Sequence, residues 1–203
     1  MLNEFLLLAT AHLFAVASPG ADFAVVLKNT LRSGQRTGTF TALGVGLGIF
    51  VHVGYTLLGV AFLLSQSPVL FETIKYLGAG YLLWLAYNCS RSRPKSALPE
   101  TENKFEHLSD FHALKQGFFV NVLNPKVTVF FIALFTSIVS QNTSILVQSF
   151  YGLWLAFYTF VWFGLVAWWF SRRVVLAWYQ QHGYIIDWLM GLVLVYIAVR
   201  LLL

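Results

Sequence analysis

Ser18-Pro19-Gly20-Ala21-Asp22 interrupts an apolar run from Phe5 to Leu27, and the reading of that stretch decides the fold. The run is long enough to cross a bilayer, which takes about 20 helical residues. A carboxylate at such depth costs several kcal/mol, so it normally faces a partner, a cavity or a substrate path. Ser18 before Pro19 reads as a helix N-cap followed by proline at the first helical position. A second half-helix is therefore expected to begin at Pro19, and the first span to be broken.

The rest of the chain supports a membrane setting. Of 203 residues, 58% are hydrophobic and 10% charged, whereas an ordinary soluble domain has roughly 25% charged residues. Six apolar segments can be drawn: Phe5 to Leu27, Phe40 to Leu64, Pro68 to Asn88, Gly117 to Val139, Ile145 to Phe170 and Tyr184 to Leu203. The third is the least clean, because Glu72 and Lys75 stand in its first turns at a spacing that suits pairing near the interface. Glu4, the lack of an early Lys or Arg and the length of the first run read as a retained span rather than a cleaved leader.

Ten of the thirteen basic residues fall in the first, third and fifth loops: Lys28, Arg32, Arg36, Arg91, Arg93, Lys95, Lys104, Lys115, Arg172 and Arg173. By the positive-inside rule those loops are cytoplasmic and both termini face outward. The net charge of +5 thus reads as topology, with no nucleic-acid partner implied. Cys89 is the only cysteine, which excludes an intrachain disulfide and a thiol-clustered metal site.

Ser90 to Gln116 is a polar linker that divides the chain into residues 1–89, 90–116 and 117–203. Ser109 before Asp110 suits the N-cap of a helix leading into span four. His107 and His112 beside it read as solvated loop residues. The outer parts resemble each other: Ser18-Pro19 corresponds to Asn124-Pro125, and Ile74-Lys75 to Ile186-Asp187. With three spans per part, the second copy must be inserted upside down. The expected fold is all-α, six transmembrane helices in two inverted three-helix repeats, with spans one and four broken at Pro19 and Pro125. Matched breaks of this kind place a transport site near the bilayer midplane.

Span four sets Gly117, Asn121 and Asn124 on one helical face and follows them with Pro125 and Lys126. Folding the halves together brings Asp22 and Lys126 near one plane, where pairing relieves two buried charges. The half-helix N-termini at Pro19 and Pro125 suit a carboxylate, and Asp22 suits an ammonium or a proton. Ser18, Pro19, Gly20, Asp22, Asn121, Asn124, Pro125 and Lys126 are the candidate substrate-binding residues, with Asp22 the proton-coupling group. The competing reading is a static Asp22–Lys126 bridge. His12 and His52 read as packing residues that hydrogen-bond to neighbouring helices. Gly44 and Gly48 form a GxxxG that predicts close helix packing, and the aromatics of span five an interfacial belt.

Ser18-Pro19-Gly20-Ala21-Asp22-Phe23, Asn121-Val-Leu-Asn124-Pro125-Lys126 and the basic stretch Lys28 to Arg36 together resemble the LysE/RhtB amino-acid exporters of bacteria. The resemblance covers essentially the whole chain and is nearest the threonine and homoserine branch. It implies export of neutral amino acids from the bacterial inner membrane driven by the proton gradient, with no cofactor. A homo-oligomer is compatible with it. Two positions depart from the family pattern: Ala21 stands where a second proline is usual, and Ile49 where many members carry an acidic residue. The second departure makes basic substrates less attractive. The alternatives are a metal-cation exporter and a lipid-moving protein; metal transport wants several deep carboxylates or thiols, and only Asp22 reads as deep. An enzyme is not expected, since a serine protease built on Ser18 with His12 or His52 lacks a Gly-x-Ser-x-Gly-like setting.

Overall fold

The computed structural model describes residues 2–18, 20–66, 68–93, 108–139 and 143–202. Among them the chain forms eight α-helices and no strand: α1 Leu2–Ala17, α2 Ala21–Ser33, α3 Gln35–Gln66, α4 Pro68–Ser90, α5 Asp110–Val122, α6 Pro125–Ile138, α7 Ile145–Phe170 and α8 Arg173–Leu202. Three are long and apolar enough to cross a membrane, and five spans result if each bent pair counts as one. The pairs are α1 with α2, bent by 52°, and α5 with α6, bent by 57°. α4, the expected third span, is 23 residues long but does not join that set. Lys75 and its expected pairing with Glu72 lie outside the described side chains, as do Pro94 to His107 of the linker.

Two boundaries differ from the sequence reading. α2 runs on to Ser33, so Lys28 and Arg32 are helical, and α8 begins at Arg173, eleven positions before Tyr184. Polar residues extend a helix readily once the apolar part has nucleated it, and hydropathy does not report where it stops. α2 ends at Gly34, whose φ of 91° is comfortable only without a Cβ. That turn feeds straight into α3. α5 starts as expected at Asp110, with Ser109 Oγ accepting from the His112 amide at 3.4 Å.

α3 packs along α5 and α7, and α4 along α8. The α3–α5 contact has a local cause: a Cβ on Gly44 would collide with the Leu114 carbonyl, and one on Gly117 with the Thr41 carbonyl. Bare backbone on both sides lets the helix axes approach closely. The apolar interior forms two clusters. One gathers Leu8, Leu82, Phe131, Leu134, Leu155 and Leu194, and the other Phe23, Val26, Val45, Phe163, Val166 and Phe170. Large apolar side chains also point outward, Leu77 at 70% and Leu192 at 69% exposure, as lipid-facing helices require.

Candidate functional site

A polar group lies where the two apolar clusters meet. Asp22, in the first turn of α2, is buried, and both of its oxygens are taken by side chains from the other bent pair. Asn121 Nδ2 donates to Oδ2 at 2.9 Å, and Asn124 Nδ2 donates to Oδ1 at 3.3 Å. The other end of the Asn124 amide is engaged as well: its Oδ1 accepts from the Lys126 amide at 3.0 Å and caps α6, with Pro125 at the first helical position. One side chain thus starts a helix and holds the carboxylate of another. The i, i+4, i+7 face is not continuous helix, because α5 ends at Val122; the bend after it is what turns Asn124 toward Asp22.

Lys126 does not pair with Asp22. Its Nζ donates to Ser18 Oγ at 3.0 Å, and no ion pair between Lys126 and Asp22 occurs among the described residues. Ser18 in turn donates to Asp187 Oδ1 at 3.4 Å, and Ser92 Oγ donates to Asp187 Oδ2 in a short contact. A static Asp22–Lys126 bridge is therefore not what fixes the two bent pairs together. Ser18 is also not the expected N-cap, since α2 begins at Ala21 after Gly20 and its hydroxyl is engaged with Lys126 and Asp187. Pro19 lies outside the described residues. Gly20 runs beside Lys126, where an added Cβ would lie 3.7 Å from Nζ.

Asp187 is the site residue that sequence reasoning missed. It is 8% exposed and interrupts the apolar run of the last span, so the rule that singled out Asp22 applies equally to it. Asp22 is therefore not the only buried carboxylate among the described residues.

A cavity beside Asp22 is lined by Ser18, Gly20, Asp22, Asn124 and Lys126 on its polar side, and by Ile49, Val127, Phe130, Phe131 and Phe163 on its apolar side. Asn121 is not in its wall but stands behind Asp22. His12 and Thr159 also line it, joined by a contact of 3.2 Å between His12 Nε2 and Thr159 Oγ1. His52 sits elsewhere: its Nε2 donates to the Asn121 carbonyl at 3.0 Å and Nδ1 lies 2.6 Å from the Tyr55 hydroxyl. Both histidines thus tie neighbouring helices, α1 to α7 and α3 to α5. Gly48 leaves room for Asn121, whose amide a Cβ there would meet.

The arrangement sets an acidic group, Asp22, and a basic one, Lys126, in the same wall, with apolar side chains opposite them. A lone metal cation would have to tolerate the ammonium of Lys126 in the same cavity, which like-charge repulsion opposes.

A family model described as LysE type translocator matches residues 13–203. The membrane protein YrhP of Bacillus subtilis is 30% identical over 136 residues, 64% of this chain and 65% of its own length. Membrane protein PA4757 of Pseudomonas aeruginosa is 31% identical over 188 residues, 87% of each chain. The threonine efflux protein of Escherichia coli is 27% identical over 194 residues, 94% of this chain and 93% of its own. The chain therefore spans less than two thirds of YrhP and nearly all of the threonine efflux protein. No solved structure matches.

Proposed function

The chain belongs to the LysE type translocator family, and from that premise we propose that it is a secondary transporter exporting neutral amino acids, threonine, homoserine or similar, by proton antiport. The observation that carries this reading is the buried Asp22, held by Asn121 and Asn124 with a half-buried ammonium, that of Lys126, nearby but not paired with it. Separated opposite charges in one cavity are the complement of a zwitterion. A substrate ammonium binds Asp22, and its carboxylate binds Lys126 at the start of α6, where the helix dipole favours an anion. The threonine efflux protein, similar along nearly the whole chain, agrees in substrate class.

In this reading the two bent pairs each form one span, giving six, and residues 1–89 and 117–203 are inverted repeats joined by a cytoplasmic linker. The matching element order supports it, a bent pair followed by two long helices in each part. Basic loops put both termini on the outer face of the bacterial inner membrane. Asp22 alternates between a proton and the substrate ammonium, so inward proton flow drives outward amino-acid flow.

The test is efflux of labelled threonine, homoserine, leucine or lysine from proteoliposomes under an imposed pH gradient, for the wild type and Asp22→Asn. Gradient-driven efflux of a neutral amino acid that disappears in the variant supports the reading. Efflux that persists at the wild-type rate removes Asp22 from coupling, and absence of efflux for every amino acid removes the exporter.

A further inference from the structure

Lys126 occupies an unfavourable place. It is half-buried, and it lies in the first turn of α6, where the dipole's positive end repels a cation. Something must offset that, and Asp22 acts only from a distance: its oxygens accept from Asn121 and Asn124, and no hydrogen bond or ion pair joins it to Lys126 among the described residues. The ammonium turns the other way, to Ser18, and a hydroxyl that accepts from Lys126 still has its own proton to give. Ser18 gives it to Asp187. The hydroxyl thus relays between a cation and a second buried carboxylate, and Ser92, just past the end of α4, steadies that carboxylate from behind.

We infer that Asp187 is a positioning residue that draws Lys126 toward Ser18 and off Asp22, so that Asp22, whose hydrogen-bond donors are neutral amides, keeps its charge for the substrate ammonium. Two carboxylates compete for one lysine. With Asp187 charged, Lys126 is shared away from Asp22; with Asp187 neutral, the nearest anion for the ammonium is Asp22, and the ion pair that then forms occupies the site the substrate needs. Packing makes this arrangement: α1 meets α8 beside Ser18, and α4 lies along α8 beside Ser92. The consequence for transport rests on the exporter reading above, whereas the pairing itself does not.

The pairing is tested by double-mutant cycles on thermal denaturation of the purified protein in detergent. Lys126→Met combined with Asp187→Asn should be clearly non-additive, and Lys126→Met combined with Asp22→Asn close to additive. Stronger coupling to Asp22 than to Asp187 overturns the inference, whether or not the protein transports anything.

The consequence is tested by threonine uptake into inside-out membrane vesicles. Asp187→Asn should raise the apparent KM about tenfold while the maximal rate per molecule changes far less, because uniform binding is what is lost. Asp187→Glu, which keeps the charge, should recover most of the affinity. Ser18→Ala, which keeps all three charges but cuts the link, should move KM in the same direction by less. A purely structural role would lower the maximal rate with KM unmoved, and that outcome overturns the inference. If no amino acid is taken up by the wild type, the exporter reading fails and the denaturation cycles still decide the pairing.

Discussion

Asn124 and Asp22, 102 positions apart in sequence, are joined by a hydrogen bond of 3.3 Å from Nδ2 to Oδ1 while the same asparagine caps α6 with its oxygen. The geometry of the carboxylate and the start of the second half-helix are therefore set by one side chain. Asn124→Ala should cost about 1 kcal/mol for the cap and about 1–3 kcal/mol more for leaving a buried carboxylate short of a donor. Asn124→Asp keeps the cap but faces Asp22 with a second anion. Thermal denaturation of the two variants separates these effects: a purely capping role predicts a wild-type melting point for Asn124→Asp, and we expect one well below it.

The α3–α5 seam should be intolerant of a single methyl group. At Gly44 a Cβ meets the Leu114 carbonyl, whereas at Gly54 nothing lies within 4 Å. Gly44→Ala should destabilise the protein by about 1–3 kcal/mol through forced separation of the helices. Gly54→Ala should be neutral or slightly stabilising, because alanine is the better helix former. Equal melting points for the two variants would falsify the close-packing account. Because Asn121 lies on this seam, Gly44→Ala should also weaken substrate binding.

Arg36 reaches Asp110 with a contact of 2.6 Å, yet its side chain is 79% exposed. Exposed pairs of this kind contribute little and are screened by salt. Arg36→Ala is expected to leave the melting point nearly unchanged, with any difference vanishing at high salt. A large, salt-independent drop would show that this pair holds α3 to α5, in place of the glycine contacts beside it.

His12 joins α1 to α7 through Thr159 from within the cavity wall. His12→Phe removes that link and puts a larger apolar ring against Phe130 and Phe131, which lie 6.4 and 6.0 Å from the imidazole centroid. Transport of threonine should fall in His12→Phe and recover partly in His12→Gln, which can still bond Thr159. Vesicle uptake per folded molecule measures this, and equal activity of both variants and wild type contradicts it.

Much of this was legible in the residues themselves. Apolar runs announce membrane helices, because a bilayer satisfies no backbone polar group and only intrahelical bonds can. Asn124-Pro125 announces a helix start, because proline's missing N–H and the asparagine oxygen act within one turn. The equivalent signal at Ser18-Pro19 misled by two or three positions, since Ser18 has a stronger claim on it from Lys126 and Asp187 than from the amides that follow.

By itself, then, the sequence determined that the chain is a helical membrane protein, where its two bends fall, and that Asp22, Asn121, Asn124 and Lys126 belong near one another. Those are consequences of hydropathy and of interactions within a turn or two. Only the tertiary structure decided which anion Lys126 answers to. That choice depends on α8 lying beside α1 and α4, so that Asp187 meets Ser18 across 169 positions of chain. Coulomb attraction does not follow sequence order, and a cation held away from water turns to whichever carboxylate and hydroxyl the packing of distant helices sets within its reach.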